Sequence, residues 1–260
     1  MRGAFYYGWY PEQWSQAGHR YTSTLGEYDS GNVYVMDSHI DSMKYAKADT
    51  AIFSWWGKNT PTDERLLPFL DRCQAKGFKA CIYYEIDQTG GRWKSSIRGD
   101  LLHLSAAFNH PAYYKVAGKP VVFVYCPSGP ISMVDKWSQL RSEFSLYLSL
   151  TDLPNWWTNL DKVDHWHGYR PEERCRTVYL NGVVYSMCPS AGFWAAGEEK
   201  PRLTRDFAAW EAAVSALSTY NPIWELFIFN EHGEGTIIEP SDARCNEYLC
   251  ADYLITLAGS

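Results

Sequence analysis

The sequence predicts an α/β protein: a single (β/α)8 TIM barrel with its active site at the C-terminal ends of the strands. Three observations predict it. Eight short apolar runs bounded by turn residues recur along the chain, as strands buried on both faces require. Amphipathic segments separate many of them, which is βα alternation at a length suited to one barrel. The first run is followed by YPEQWSQAGHRY, without the glycine-rich phosphate loop that an open doubly wound sheet normally carries there. No Pro/Gly/Ser-rich linker and no fixed-period repeat divides the chain, so residues 1–260 read as one domain.

The elements follow in order. AFYYGWY (4–10) is the first strand, and SHIDSMKYAKA (38–48) carries Ile40 and Met43 at helical spacing. TAIFSWW (50–56) is the second strand. TDERLLPFLDRCQAKG (62–77) begins at the cap-like Thr62 and stops at Gly77, with Pro68 predicting a kink or a late start. KACIYYEI (79–86) and PVVFVYC (120–126) are the next two strands, followed by a helix over SMVDKWSQLRSE (132–143). FSLYLSL (144–150), KVDHWH (162–167) and VVYSMCP (183–189) are strands five to seven. A helix over 204–220 precedes the eighth strand, WELFIFN (224–230). SDARCNEYLCADYLITLA (241–258) closes the chain as a helix that Ser241, just after Pro240, can cap.

Composition narrows the function. A net charge of −6 and a pI near 5.6 argue against nucleic acid or an anionic membrane as partner. No apolar stretch approaches membrane-spanning length. MRGAFYYGWY lacks the continuous apolar core of a signal peptide, so a cytoplasmic location is expected. Seven scattered cysteines form no CxxC pair, which favours a reducing compartment and gives no structural zinc motif. Aromatic residues reach 16%, many of them beside polar ones. They serve either as core or as platforms for sugar rings, which also have an apolar face and a polar edge.

Functional side chains concentrate where a barrel places its site. Trp9 follows the first strand, Trp55 and Trp56 end the second, and Glu85 ends the third. Tyr125 ends the fourth, His165, His167 and Tyr169 the sixth, and NEHGEG (230–235) the eighth. Alternation along a strand lets only one of Trp55 and Trp56 point inward. Glu85, at the end of an apolar strand, needs either a salt bridge or a site role. His165 and His167 share a face, as metal ligands or core histidines would; with no third ligand in sight, no metal is expected.

The eighth-strand cluster is more specific. Glu231 and Glu234, with Asn230 and His232 around them, place two carboxylates where a buried strand meets solvent. Glycoside hydrolysis uses one acid to protonate the leaving oxygen and a second group to supply or activate a nucleophile. Mutual repulsion between close carboxylates helps one stay protonated near neutrality. A solvated loop is the alternative.

NEHGEGTIIEP resembles the NEWxEGTxIEP signature of glycoside hydrolase family 99, which includes endo-α-1,2-mannosidases and WbsX-like proteins of polysaccharide gene clusters. FYYGWY, FSWWG, IYYEI and HPAYYKVAGKPVVFVY (110–125) resemble other segments of that family in the same order. The resemblance implies a retaining, endo-acting glycosidase for an α-linked oligo- or polysaccharide, with α-mannosides among the candidates. It implies Glu231 as the base on the sugar 2-hydroxyl, giving a 1,2-anhydro sugar, and Glu234 as general acid/base. It also implies that Tyr6, Trp56, Glu85, Tyr125 and Tyr169 line the subsites and that no metal or organic cofactor is used. Trp9, Trp55, His167, Asn230 and His232 join them as substrate-binding candidates from their place at the strand ends. His232 stands where the family has tryptophan, and Gly233 replaces the residue before the second acid. A covalent mechanism with Glu85 as nucleophile requires it roughly 5 Å from the acid across the sugar. A non-catalytic carbohydrate-binding barrel and a WbsX-like assembly protein are the alternative readings.

Overall fold

The computed structural model describes residues 1–15, 19–242, 244–245 and 248–260. The first half runs β1 (Arg2–Tyr6), α1 (Val33–Tyr45), β2 (Thr50–Trp55), α2 (Pro61–Ala75), β3 (Lys79–Tyr84), α3 (Lys94–His103) and α4 (Ser105–Asn109). Next come β4 (Lys115–Val116), β5 (Lys119–Val124), α5 (Met133–Glu143), β6 (Tyr147–Thr151), a 3-10 turn (Trp156–Asn159) and β7 (His165–His167). The chain continues with β8 (Cys175–Leu180), β9 (Val183–Pro189), α6 (Phe207–Tyr220) and β10 (Trp224–Ile228). It ends with β11 (Arg244–Cys245), β12 (Tyr248–Leu249) and α7 (Cys250–Gly259).

The main sheet has the order β7-β6-β5-β3-β2-β1-β10-β9-β8. Each pairing from β7 round to β9 is parallel, and β8 returns antiparallel on β9. Those eight parallel strands are the eight that the apolar runs predict, and they form a nearly closed barrel. Between β7 and β9 no backbone ladder is formed; Gly168 N donates instead to Ser186 Oγ at 3.1 Å.

Strand alternation sorts the aromatics into two layers. Inside, Phe5 meets Tyr83, Phe123 and His167, with ring centroids 4.9, 6.2 and 6.2 Å away. Outside, between β1 and the helices, Tyr6 stacks on Phe69 of α2 at 4.6 Å and hydrogen-bonds His39 of α1 at 3.2 Å. These rings are buried, and each such side chain contributes about 1.5–3 kcal/mol through burial.

Several local expectations shift. Thr60, not Thr62, caps α2: its Oγ1 accepts from Asp63 N at 3.3 Å, with Pro61 at the first helical position. Thr62 lies inside the helix and accepts from Trp56 N at 3.0 Å, fixing the end of β2. Pro68 is accommodated within α2. Asn32 caps α1, which starts at Val33, ahead of the expected position 38. Ser241 stands well before the last helix rather than at its start. Residues 240–242 are committed to residues 22–24, with Asp242 N on Thr22 O and Thr24 N on Pro240 O, both at 2.9 Å. The last helix begins only at Cys250.

Cys73, Cys81, Cys126, Cys175 and Cys188 are unpaired, and all but Cys175 are buried. Cys245 and Cys250 lie outside the described side chains. No described helix is long and apolar enough to cross a membrane.

Candidate active site

β10 delivers the chain to residues 229–239, a compact loop closed at its neck. Ile238 N and Glu239 N both donate to Phe229 O, at 2.9 and 3.0 Å. Asn230 locks the loop to β1 by imitating a strand neighbour. Its Oδ1 accepts from Tyr7 N at 2.8 Å and its Nδ2 donates to Tyr7 O at 3.0 Å. Tyr10 OH donates to Asn230 O and accepts from His232 N, both at 3.1 Å. Gly235 adopts a φ of +62°, which glycine tolerates without strain, and its amide closes a turn onto His232 O at 3.1 Å.

That loop forms one wall of a cleft with two compartments, of about 360 and 260 Å3. Both contain Trp9, Trp56, Glu231 and Glu234, so the acids sit where the compartments meet. Tyr10, Gln13, Trp14 and His19 complete the larger one. Tyr7, Tyr83, Glu85, Gln88, Tyr125 and Tyr169 complete the smaller. Its floor is the interior core, since Tyr7, Tyr125 and Tyr169 stand two residues beyond Phe5, Phe123 and His167 on the same strands or just after them.

Three carboxyls share the smaller compartment without a cation among its lining residues. Burial pushes Glu85 up to about 8, with Ser54 lowering it and Glu234 raising it. Glu231 is raised well above the usual carboxyl range, by burial first and then by Glu234 and Glu85; Gly233 N donates to its Oε1 at 2.9 Å. Burial takes Glu234 to about 7 against the lowering effect of Tyr169, whose hydroxyl donates to Oε2 at 3.1 Å. Tyr7 OH and Tyr169 OH are 2.7 Å apart, which extends this chain of hydroxyls across the cleft. Burial and mutual repulsion thus favour the protonated form of these carboxyls.

Of the residues expected here, the cleft gathers Glu231, Glu234, Trp9, Trp56, Glu85, Tyr125, Tyr169 and His232. Tyr6 does not belong: it faces the helices, and its neighbour Tyr7 faces the cleft. Trp55 also points outward, donating from Nε1 to Asp63 at 2.9 Å, while Trp56 turns inward. His167 lies one layer down, its Nδ1 2.9 Å from Ser149 Oγ, and burial holds it well below its usual range. His165 stacks on Trp224 at 3.8 Å and is lowered to about 3 by burial. Among the described residues no group of three or more His, Cys, Asp or Glu could hold a metal ion. Asn230 is fully buried and braces the loop without lining the cleft. His232 reaches the cleft wall, but both ring nitrogens point away from it, to Tyr21 O and Glu239.

Tyr7, Gln13, Trp14 and Gln88 line the cleft without being expected from the sequence. Tyr7 was legible: it shares parity with Trp9, so both face one side of the strand, whereas Tyr6 and Trp9 cannot. The others lie on loops, where no periodicity assigns a direction.

The chain is similar to known proteins in sequence and in fold. The model of glycosyl hydrolase family 99 matches residues 12–149, which include Trp56, Glu85 and Tyr125; Glu231 and Glu234 lie beyond it. Over 133 residues the chain is 23% identical to a glycoprotein endo-alpha-1,2-mannosidase of Xenopus laevis, covering 47% of this chain and 29% of that protein. A family 99 endo-alpha-mannosidase from Bacteroides thetaiotaomicron shares the fold with a TM-score of 0.76 at 19% identity, over 99% of this chain and 95% of that one. A structure described as a glycoside hydrolase-like protein has a TM-score of 0.63 at 14% identity, over 98% and 92% of the two chains. With over half of its residues matched by the family model, the chain belongs to glycosyl hydrolase family 99.

Proposed function

We propose that this family member is a hydrolase, a retaining, endo-acting glycosidase that cleaves an α-linked oligo- or polysaccharide, with Glu231 and Glu234 as its working acids. The observation that carries this reading is their position at the junction of two compartments. A chain threaded through the cleft would have sugar on both sides of the bond at the acids, as internal cleavage requires. The aromatic faces of Trp9 and Trp56 on that junction suit pyranose rings.

In the first step Glu231 takes the proton of the 2-hydroxyl, and O2 attacks C1 as the bond from C1 to the leaving oxygen breaks. Glu234 gives its proton to that oxygen. In the second step Glu234 accepts a proton from water, the water oxygen attacks C1 of the 1,2-anhydro sugar as the C1–O2 bond breaks, and O2 regains its proton from Glu231. Two inversions at C1 give net retention. A Glu234 near 7 retains acid at neutral pH, and Glu231, which burial raises, must first lose its proton to act as the base. Glu85, pushed up to about 8 by burial, keeps its proton and suits donation to a sugar hydroxyl better than nucleophilic attack. The α-mannosidase activity named for its relatives makes α-mannosides the first substrates to try.

The test is turnover on a panel of α-linked mannans, glucans and bacterial polysaccharides, with Glu231→Gln and Glu234→Gln alongside. Retained configuration in the product and loss of turnover in both variants are expected. Variants as active as the wild type would end this reading, and sugar binding without wild-type turnover would favour a binding module.

A further inference from the structure

Behind the acids lies a second, wholly buried polar cluster centred on Glu239. Its Oε2 accepts from Tyr28 OH at 2.9 Å and faces His232 Nε2 at 3.2 Å. Its Oε1 accepts from Ser23 Oγ and lies 3.6 Å from His39 Nε2. Tyr28 OH in turn accepts from Asn230 Nδ2 at 3.1 Å. Glu239 and His232 are each about 1% exposed, so water replaces none of these bonds. The partners come from separate parts of the chain: residues 19–30, α1 and both sides of the 229–239 loop.

The His232 ring carries particular information. Nδ1 is 3.1 Å from the Tyr21 carbonyl oxygen and Nε2 is 3.2 Å from the Glu239 carboxylate. Both are acceptors, so the ring satisfies both only when both nitrogens carry protons. The ring thus crosses the loop as a brace, tied to Glu239 on one side and to residue 21 on the other. Its backbone lies between Glu231 and Glu234 in sequence. Any tilt of the ring moves the segment that carries both acids.

The geometry points to Glu239 as a positioning residue for the acid pair, acting through the His232 ring and, by way of Tyr28, through Asn230. This rests on Glu231 and Glu234 being the working acids. Glu239 touches no cleft surface and is not itself catalytic. The brace is particular to a chain with an imidazole at position 232, because an indole there has a single donor and cannot bond both Glu239 and the Tyr21 carbonyl. Displacements of about 1 Å at reacting groups cost on the order of 100-fold in rate, so loss of the brace is read in kcat with little change in KM.

The experiment measures kcat, KM and melting temperature for Glu239→Gln, His232→Gln and the double variant, with Glu234→Gln as control. Glu239→Gln is expected to lower kcat about 10- to 100-fold, as supporting-shell changes do, and to leave KM within about threefold. The double variant is expected to be no slower than the slower single one, because both break the same brace. Wild-type kcat in folded Glu239→Gln, or losses that multiply in the double variant, would overturn the proposal. If Glu239→Gln does not fold, Tyr28→Phe removes one donor from the same carboxylate. A several-fold loss of kcat at unchanged KM is then expected, and wild-type kcat in that variant overturns the idea equally. Wild-type turnover by Glu234→Gln would instead sink the assignment of the acids, whatever Glu239 does.

Discussion

The two sides of the 229–239 loop treat their carboxyls oppositely, although Glu231 on one side and Glu239 on the other are both buried. On the cleft side Glu231 and Glu234, with Glu85 opposite, meet one another and aromatic walls, and all three are raised. On the far side burial also acts to raise Glu239, but His39 and His232 with their hydrogen bonds outweigh it and hold the group far below the usual carboxyl range. Burial alone therefore does not decide ionisation; the partners do. One side keeps mobile protons for chemistry, and the other keeps a fixed charge that holds the loop in shape.

The largest effect that separates these sides is expected at the acids. Glu234→Gln and Glu231→Gln should each lower kcat by about 1,000-fold, within the span known for general acid–base groups, while melting temperature stays level or rises. A similar loss with a collapsed melting temperature would mean that the acids are structural. The tryptophan pair comes next. Trp55→Ala, at a fully buried outward position, should cost about 3–5 kcal/mol of stability, measured by denaturant unfolding. Trp56→Ala should spare stability and raise KM roughly tenfold, as loss of a stacking face would. Exchanged phenotypes would show that the register at the end of β2 is wrong.

The tyrosine pair tests the same register on β1 with a smaller signal. Tyr7→Phe removes the hydroxyl 2.7 Å from Tyr169 OH, and kcat should fall about tenfold, the equivalent of one hydrogen bond. Tyr6→Phe should leave turnover unchanged and cost about 1 kcal/mol of stability. The smallest expected effect is the pH dependence of stability. Glu85 binds its proton more tightly folded, at about 8, than at the ordinary 4.5. Its stabilisation is complete below 4.5 and is lost as pH rises through 8. Glu239 has the opposite sign: its contribution is present above the ordinary carboxyl value and is lost as pH falls below it. Melting curves from pH 5 to 8 should decline less steeply in Glu85→Gln than in the wild type. An unchanged slope would mean that Glu85 is ionised throughout.

Much of this was legible in the sequence, and the rest was hidden for identifiable reasons. The parallel strands announce themselves because burial on both faces demands continuous apolar runs. The acids announce themselves because carboxylates at the end of such a run have few other uses. Which of two adjacent aromatics faces the cleft depends on a register of one residue, and FYY and SWW leave that open until a neighbour of known direction fixes it. Glu239 stands in the TIIEP stretch that resembles the family signature, but its role was hidden because its partners Ser23, Tyr28 and His39 are some two hundred residues away in the chain. The last helix starts later than the sequence predicts because the backbone of 240–242 is claimed by a distant loop, which no helical propensity records.

The role of Glu234 can be tested most directly through kcat/KM of Glu234→Gln on two substrates with the same sugar on the non-reducing side of the cleaved bond. One is the α-linked glycan, whose leaving oxygen needs a proton. The other is the corresponding α-glycosyl fluoride, whose leaving group needs little help. If Glu234 protonates the leaving oxygen, the variant loses about 1,000-fold on the glycan and only a few-fold on the fluoride. Equal losses on both substrates, or no loss on the glycan, would contradict that role.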